Sequence, residues 1–137
     1  MQVQPYLNFD GRCEDAVNFY QKALDAKVDM LVRMKEAPPS PGPSRVPPGS
    51  ENKIMHVTLR IGDSIVMGSD CECAGQVKFQ GFSLSLALKD AASATKYFNA
   101  LSDGGKIEMP LSKTFFAEHF GIVTDRFGVN WMVIVQP

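Results

Sequence analysis

The chain has 137 residues, enough for one domain with a sizeable core, and its 45% hydrophobic and 21% charged residues are an ordinary globular balance. Fourteen basic and fifteen acidic residues are interspersed, leaving a net charge of −1 and no basic block, so neither nucleic acid nor an anionic membrane is expected as a partner. No apolar run is long enough to span a bilayer, and Met1-Gln-Val-Gln-Pro-Tyr6 has neither the charged nor the apolar part of a signal peptide.

Residues 2–9 alternate near a period of two and read as a strand, placed at an edge because Pro5 lacks a ladder donor. Asp10-Gly11 reads as a turn and helix entry. Residues 13–25 follow as a helix, with Ala16, Val17, Tyr20, Ala23 and Leu24 on one face. Residues 28–35 make a second strand. Residues 37–52 are rich in Pro, Gly and Ser, so neither helix nor ladder persists there, and a loop this long is read as a flexible excursion or a lid.

Residues 54–61 alternate, with Met55, Val57, Leu59 and Ile61 on one face and His56, Thr58 and Arg60 on the other. Gly62-Asp63 turns the chain into a partner strand at 64–69, and 70–80 is a polar link. Residues 82–88 alternate large apolar with small side chains. Asp90 caps a helix to about 103, with a stripe of Ala91, Ala94, Phe98 and Leu101, ended by Gly104-Gly105. A strand at 106–109 stops before Pro110, and 111–119 is a loop carrying Lys113, Phe115, Phe116, Glu118 and His119. A hairpin closes the chain, turning at Asp125-Arg-Phe-Gly128, and its last strand is apolar except for Asn130.

The order is thus βαβββ twice, module one at about 1–70 and module two at about 80–137 of a single domain. Both helices carry an aromatic pair, Phe19-Tyr20 and Tyr97-Phe98, followed by Ala-Leu. The expected class is α+β, with curved, partly closed mixed sheets around a central cleft and the helices outside.

Three cysteines point to a reducing cytoplasm. Cys71-Glu-Cys73 reads as a surface turn with free thiols or a weak soft-metal pair, and Cys13 as a small buried hydrophobe. No Gly-x-Ser-x-Gly elbow, Walker loop or His-Glu-x-x-His run occurs.

Four stretches resemble the PhnB-like branch of the vicinal oxygen chelate superfamily, the glyoxalase, bleomycin-resistance and dioxygenase group. They are Pro5-Tyr-Leu-Asn-Phe9, His56-Val-Thr-Leu-Arg-Ile-Gly62, Thr114-Phe-Phe116, and Phe120-Gly121 with Asp125-Arg-Phe-Gly-Val-Asn-Trp-Met132. Some relatives are labelled demethylubiquinone methyltransferase-like; no Gly-rich nucleotide-binding turn follows the first strand here.

The resemblance implies paired modules, commonly a homodimer, and in the metalloenzymes one divalent ion held by His, Glu or Gln from the first and last strands of each module. The corresponding positions here are Pro5, Met67, Ser83 and Met132, and a one-residue shift recovers only Gln4. None of the four is a usual ligand for a hard cation, so no metal and no other cofactor is expected. The same register turns Asn130, Met132 and Ile134 toward the cleft, with Ser83, Ser85, Ala87, His56, Thr58, Met67 and Ser69. It sends Phe82, Leu84, Leu86, Leu88, Val129, Trp131 and Val133 under the helices. Lys113, Phe115 and Phe116 border the cleft from their loop.

The expected function is binding of a small molecule of unknown identity in a metal-free cleft. The alternative is a lyase, isomerase or dioxygenase-like enzyme with His56 as acid/base or metal ligand, or a His56–His119 acid/base pair.

Overall fold

The computed structural model describes residues 1–38, 48–70 and 77–137. Cys71, Cys73 and the centre of the proline-rich stretch fall outside them. The chain divides into two compact units, Met1–Val77 and Lys78–Pro137. Each is a βαβββ module with a four-stranded mixed sheet and one helix.

The N-terminal unit contains β1 (Tyr6–Asn8), α1 (Cys13–Leu24), β2 (Lys27–Arg33), β3 (Ile54–Ile61) and β4 (Ser64–Ser69), in sheet order β1-β4-β3-β2. β1 runs parallel to β4, and the other neighbours are antiparallel. β1 is shorter than the expected 2–9. Pro5 has no N–H and contributes only its carbonyl, which accepts from Met67 N at 3.0 Å, and this places the strand at the edge. Leu7 and Phe9 are buried, as are Cys13, Ala16, Val17, Tyr20, Ala23 and Leu24 of α1.

Asp10-Gly11 forms the expected turn into α1, with positive φ at both residues. Arg12 stands at the cap position without a side-chain bond, and the buried carboxylate of Asp70 serves instead. Its Oδ1 accepts from Cys13 N at 2.8 Å and its Oδ2 from Ile54 N at 2.7 Å, tying the helix start to the start of β3. On β3, Val57, Leu59 and Ile61 are buried as expected, but Met55 is exposed and Ile54 takes its place in the core. The register with β2 shifts between Val32 and Arg33, where Arg33 pairs with Ile54, and this flips the alternation. β2 ends at Arg33 in a 3-10 turn, Met34–Glu36. Met34 N and Lys35 N bond to Lys53 O and Glu51 O at 2.9 Å, so both ends of the proline-rich stretch meet at the base of the sheet.

The C-terminal unit contains β5 (Leu84–Leu88), α2 (Ala91–Ser102), β6 (Lys106–Ser112), β7 (His119–Thr124) and β8 (Asn130–Val135), in the matching order β5-β8-β7-β6. Asp90 caps α2, accepting from Ser93 N at 2.7 Å, and that bond holds its carboxyl below the usual range. Ala94, Phe98 and Leu101 are buried, while Ala91 is only partly so. β6 runs through Pro110 instead of stopping before it. It is an edge strand with irregular register on both sides of Met109, where a missing donor is tolerated. The loop therefore shrinks to 113–118, and His119 becomes the first residue of β7. Phe82, expected in the core, is 44% exposed because it precedes β5.

The buried carboxylate of Asp125 organises the closing turn. Its Oδ1 accepts from Phe127 N at 2.9 Å and Val129 N at 3.0 Å, and its Oδ2 from Trp131 Nε1 at 2.9 Å. Gly128, at φ 90°, lets its own N–H return to Asp125 O.

Candidate functional site

In each unit the strand face away from the helix carries the residues with chemistry, and the two faces are described separately.

In the N-terminal sheet, register aligns Tyr6, Met67, Thr58 and Met30 in one row across β1, β4, β3 and β2. Directly opposed residues share a face, so these four side chains stand together. His56, one step along β3, is half-buried with both ring nitrogens engaged. Nε2 lies 2.9 Å from Thr58 Oγ1 and Nδ1 lies 3.3 Å from Tyr6 Oη, with the two ring centroids 5.7 Å apart. Each hydroxyl both donates and accepts, so the ring can be neutral in either tautomer, or protonated, without losing either contact. That geometry suits proton transfer as well as ligand binding. Ser69, expected on this face, is buried, and its hydroxyl donates to Asn8 Oδ1 at 3.4 Å.

The C-terminal sheet has the equivalent row, Ser85, Met132, Ile122 and Met109. Asn130, Met132 and Ile134 alternate with the buried Trp131, Val133 and Val135, as the pattern predicts. Ser83 lies just before β5 and donates to Asn130 Oδ1, bringing two predicted residues together. Phe120 stands where the first sheet has His56. It is buried under Phe116, ring centroids 5.0 Å apart, and Phe116 in turn meets Phe115 edge-on at 5.1 Å. Thr114 shapes this loop, its Oγ1 accepting from Phe116 N and Ala117 N. Phe115 and Lys113 are exposed. His119 alternates on β7 with Gly121 and Val123, which are buried, and not with Ile122 and Thr124. It belongs to the C-terminal unit, whereas His56 belongs to the N-terminal one.

The register also adds Tyr6, which the sequence reading did not assign to the site. Tyr6 stands opposite Met67, and Ser85 opposite Met132. The signal was present: Leu7 and Phe9 are the apolar positions of β1, which leaves Tyr6 and Asn8 on the other face. The opposed pairs Tyr6–Met67 and Ser85–Met132 hold a phenol, a hydroxyl and two thioethers, which do not fit a hard divalent cation. Among the described residues no three His, Cys, Asp or Glu side chains gather as a metal site, and no helix is long and apolar enough to cross a membrane.

Two βαβββ modules with these topologies have the fold of the glyoxalase, bleomycin-resistance and dioxygenase proteins. The fold is shared with a glyoxylase/bleomycin resistance/dioxygenase domain from Frankia sp. EAN1pec, with a TM-score of 0.67 at 12% identity over 100% of this chain and 98% of that one. The family model described as 3-demethylubiquinone-9 3-methyltransferase matches residues 1–134, and the chain belongs to that PhnB-like family. Protein YjdN of Escherichia coli K12 is 38% identical over 98% of this chain and 95% of its own length. The crystal structure of PA1353 from Pseudomonas aeruginosa superposes with a TM-score of 0.84 at 36% identity, covering 99% of this chain and 98% of that one. A PhnB protein from Bacillus cereus gives 0.80 at 23% identity, over 98% and 99%.

Proposed function

We propose that this PhnB-like protein binds a small, weakly polar molecule on its helix-free sheet faces without a hard divalent metal. The observation that carries the reading is the row of Tyr6, Met67, Thr58 and Met30 beside His56. Met30 is 54% exposed and Tyr6 44%, so two adaptable apolar groups flank a fixed polar centre. The proposal includes a cytoplasmic homodimer, the pairing usual in the superfamily, which light scattering reads directly.

Two measurements test the binding. A thermal-shift screen of neutral aromatic and carbonyl compounds should yield a hit whose stabilisation grows with concentration, reaching about 2.7 kcal/mol at a hundredfold excess over Kd. Tyr6→Ala or Met67→Ala should weaken that hit. Elemental analysis of protein purified without chelator should find less than stoichiometric metal; one bound Ni, Zn, Mn or Fe per chain overturns the metal-free reading. Including S-adenosylmethionine tests the methyl transfer named in the family description.

The contacts of His56 favour a second reading, an isomerase or lyase in which His56 moves a proton and Tyr6 and Thr58 hold the ring. A hit that the wild type leaves chemically intact and that His56→Ala binds unchanged removes it.

A further inference from the structure

A chain of side-chain hydrogen bonds runs across the C-terminal sheet, from Ser83 just before β5 through β8 and β7 to β6. Ser83 Oγ donates to Asn130 Oδ1, Asn130 Nδ2 donates to Thr124 Oγ1 at 3.1 Å, and Thr124 Oγ1 donates to Glu108 Oε1 at 3.3 Å. Lys106 Nζ stands 4.0 Å from the other oxygen of Glu108.

Chemistry gives this chain one direction. An ionised carboxylate only accepts, so Thr124 must spend its single proton on Glu108. The Thr124 oxygen then has only lone pairs to offer Asn130, which turns the amide NH2 toward β7. The amide oxygen is left facing Ser83, and Ser83 becomes the donor at the far end. Glu108 on β6 therefore decides which way an amide on β8 points.

The exposed ends of the chain follow. Asn130 keeps a second N–H, and the Ser83 oxygen keeps its lone pairs. A donor thus stands beside an acceptor next to the thioether of Met132 and the side chain of Ile122. The next row holds Ser85, Met132, Ile122 and Met109, two residues or roughly 7 Å along the strands.

We infer that Ser83 and Asn130 read the polar edge of a ligand that carries a hydrogen-bond acceptor beside a donor, with a primary carboxamide on an apolar body as the simplest case. Glu108 is the positioning residue that sets the polarity of that edge through Thr124. The inference rests on the small-molecule reading above and narrows its ligand class.

The test uses benzamide and methyl benzoate, which share a ring but differ in the donor. Their binding is followed by NMR at the Asn130 side-chain amide and the Met132 methyl group. Benzamide should shift both signals saturably and bind about five- to tenfold tighter than the ester, the worth of one added hydrogen bond. Glu108→Gln offers Thr124 either a donor or an acceptor, so the constraint disappears. In that variant the Asn130 amide should populate two orientations and the preference should fall to about twofold or less. Thr124→Val should do the same by cutting the chain. Equal affinities in the wild type, a preference that survives Glu108→Gln, or benzamide binding away from Asn130 each overturn the inference. A thermal-shift hit that leaves Asn130 untouched overturns it while sparing the small-molecule reading, and a screen with no hit overturns both.

Discussion

Trp131 Nε1 donates to Asp125 Oδ2 across 2.9 Å, and both residues are buried. The same carboxylate also receives Phe127 N and Val129 N, so it holds the turn and the strand that leaves it. Removing it strands three donors away from water. Asp125→Ala is expected to cost about 3–5 kcal/mol, more than any single neutral hydrogen bond. Trp131 is the only tryptophan, so its fluorescence in urea reports the loss directly. A loss below about 1 kcal/mol would show that the turn holds without the carboxylate.

Asp70 plays a comparable part in the N-terminal unit. Cys13 lies beneath it, fully buried, and burial pushes its thiol well above the usual range, with the charges of Asp70 and Glu14 adding to the effect. The thiolate is the reactive form, so Cys13 should resist a thiol reagent at neutral pH until the unit unfolds. Asp70→Ala leaves Cys13 N and Ile54 N without that partner and should cost about 2–4 kcal/mol. Cys13 should then react sooner; mass spectrometry of the labelled peptide separates it from Cys71 and Cys73. An unchanged labelling rate would contradict the assigned role.

Arg33 reaches from the end of β2 to Glu14 in the first turn of α1, and its hydrogen bond holds the Glu14 carboxyl below the usual range. A carboxyl with a lowered folded pKa stabilises the fold above its unfolded pKa and loses that contribution as pH falls through the folded value. Glu14→Gln should therefore lower the urea midpoint slightly at pH 7, and the two proteins should converge as pH falls below the ordinary glutamate range. The pair is half-exposed, so the effect should also shrink in high salt. A midpoint difference that persists at pH 2 would point to helix propensity instead.

Gly121 is where α2 rests on β7. A Cβ there would come within 2.8 Å of the Phe98 ring and 3.1 Å of Leu111 N, and the second is backbone that cannot swing aside. Gly121→Ala should cost about 1–3 kcal/mol by overpacking, read as a lower thermal midpoint. Tolerance of the methyl group would mean that the helix can lift from the strand.

The fold was legible because its signals are local and periodic. The apolar alternation of 130–135 and the stripes on both helices assign core faces with no knowledge of contacts. The misses have tertiary causes. Met55 and Ile54 exchanged places because of a register shift set by the neighbouring strand, and Pro110 was tolerated because β6 is an edge. Asp70 could not be assigned as the cap of α1 because it lies 57 residues from Cys13. Parts of both polar clusters were also visible, His56 with Thr58 and Ser83 with Asn130. Their partners Tyr6, Thr124 and Glu108 sit on strands whose order across the sheet the sequence does not state.

The Tyr6–His56–Thr58 contacts yield the last prediction. Tyr6 meets the ring from two strands away and is partly exposed, whereas Thr58 lies on the same strand and is half-buried. Thr58→Val should therefore act on the ring itself, costing about 0.5–1.5 kcal/mol of stability and changing the tautomer balance seen in the imidazole nitrogen shifts. Tyr6→Phe keeps the aromatic surface and removes only the hydroxyl, so stability should change by less than about 0.5 kcal/mol. If the His56 face binds the screened ligand, that variant should bind it about five- to tenfold more weakly, the loss of one hydrogen bond. A hit that binds Tyr6→Phe as tightly as the wild type would place the ligand's polar contact elsewhere and leave the hydroxyl as a tether for His56.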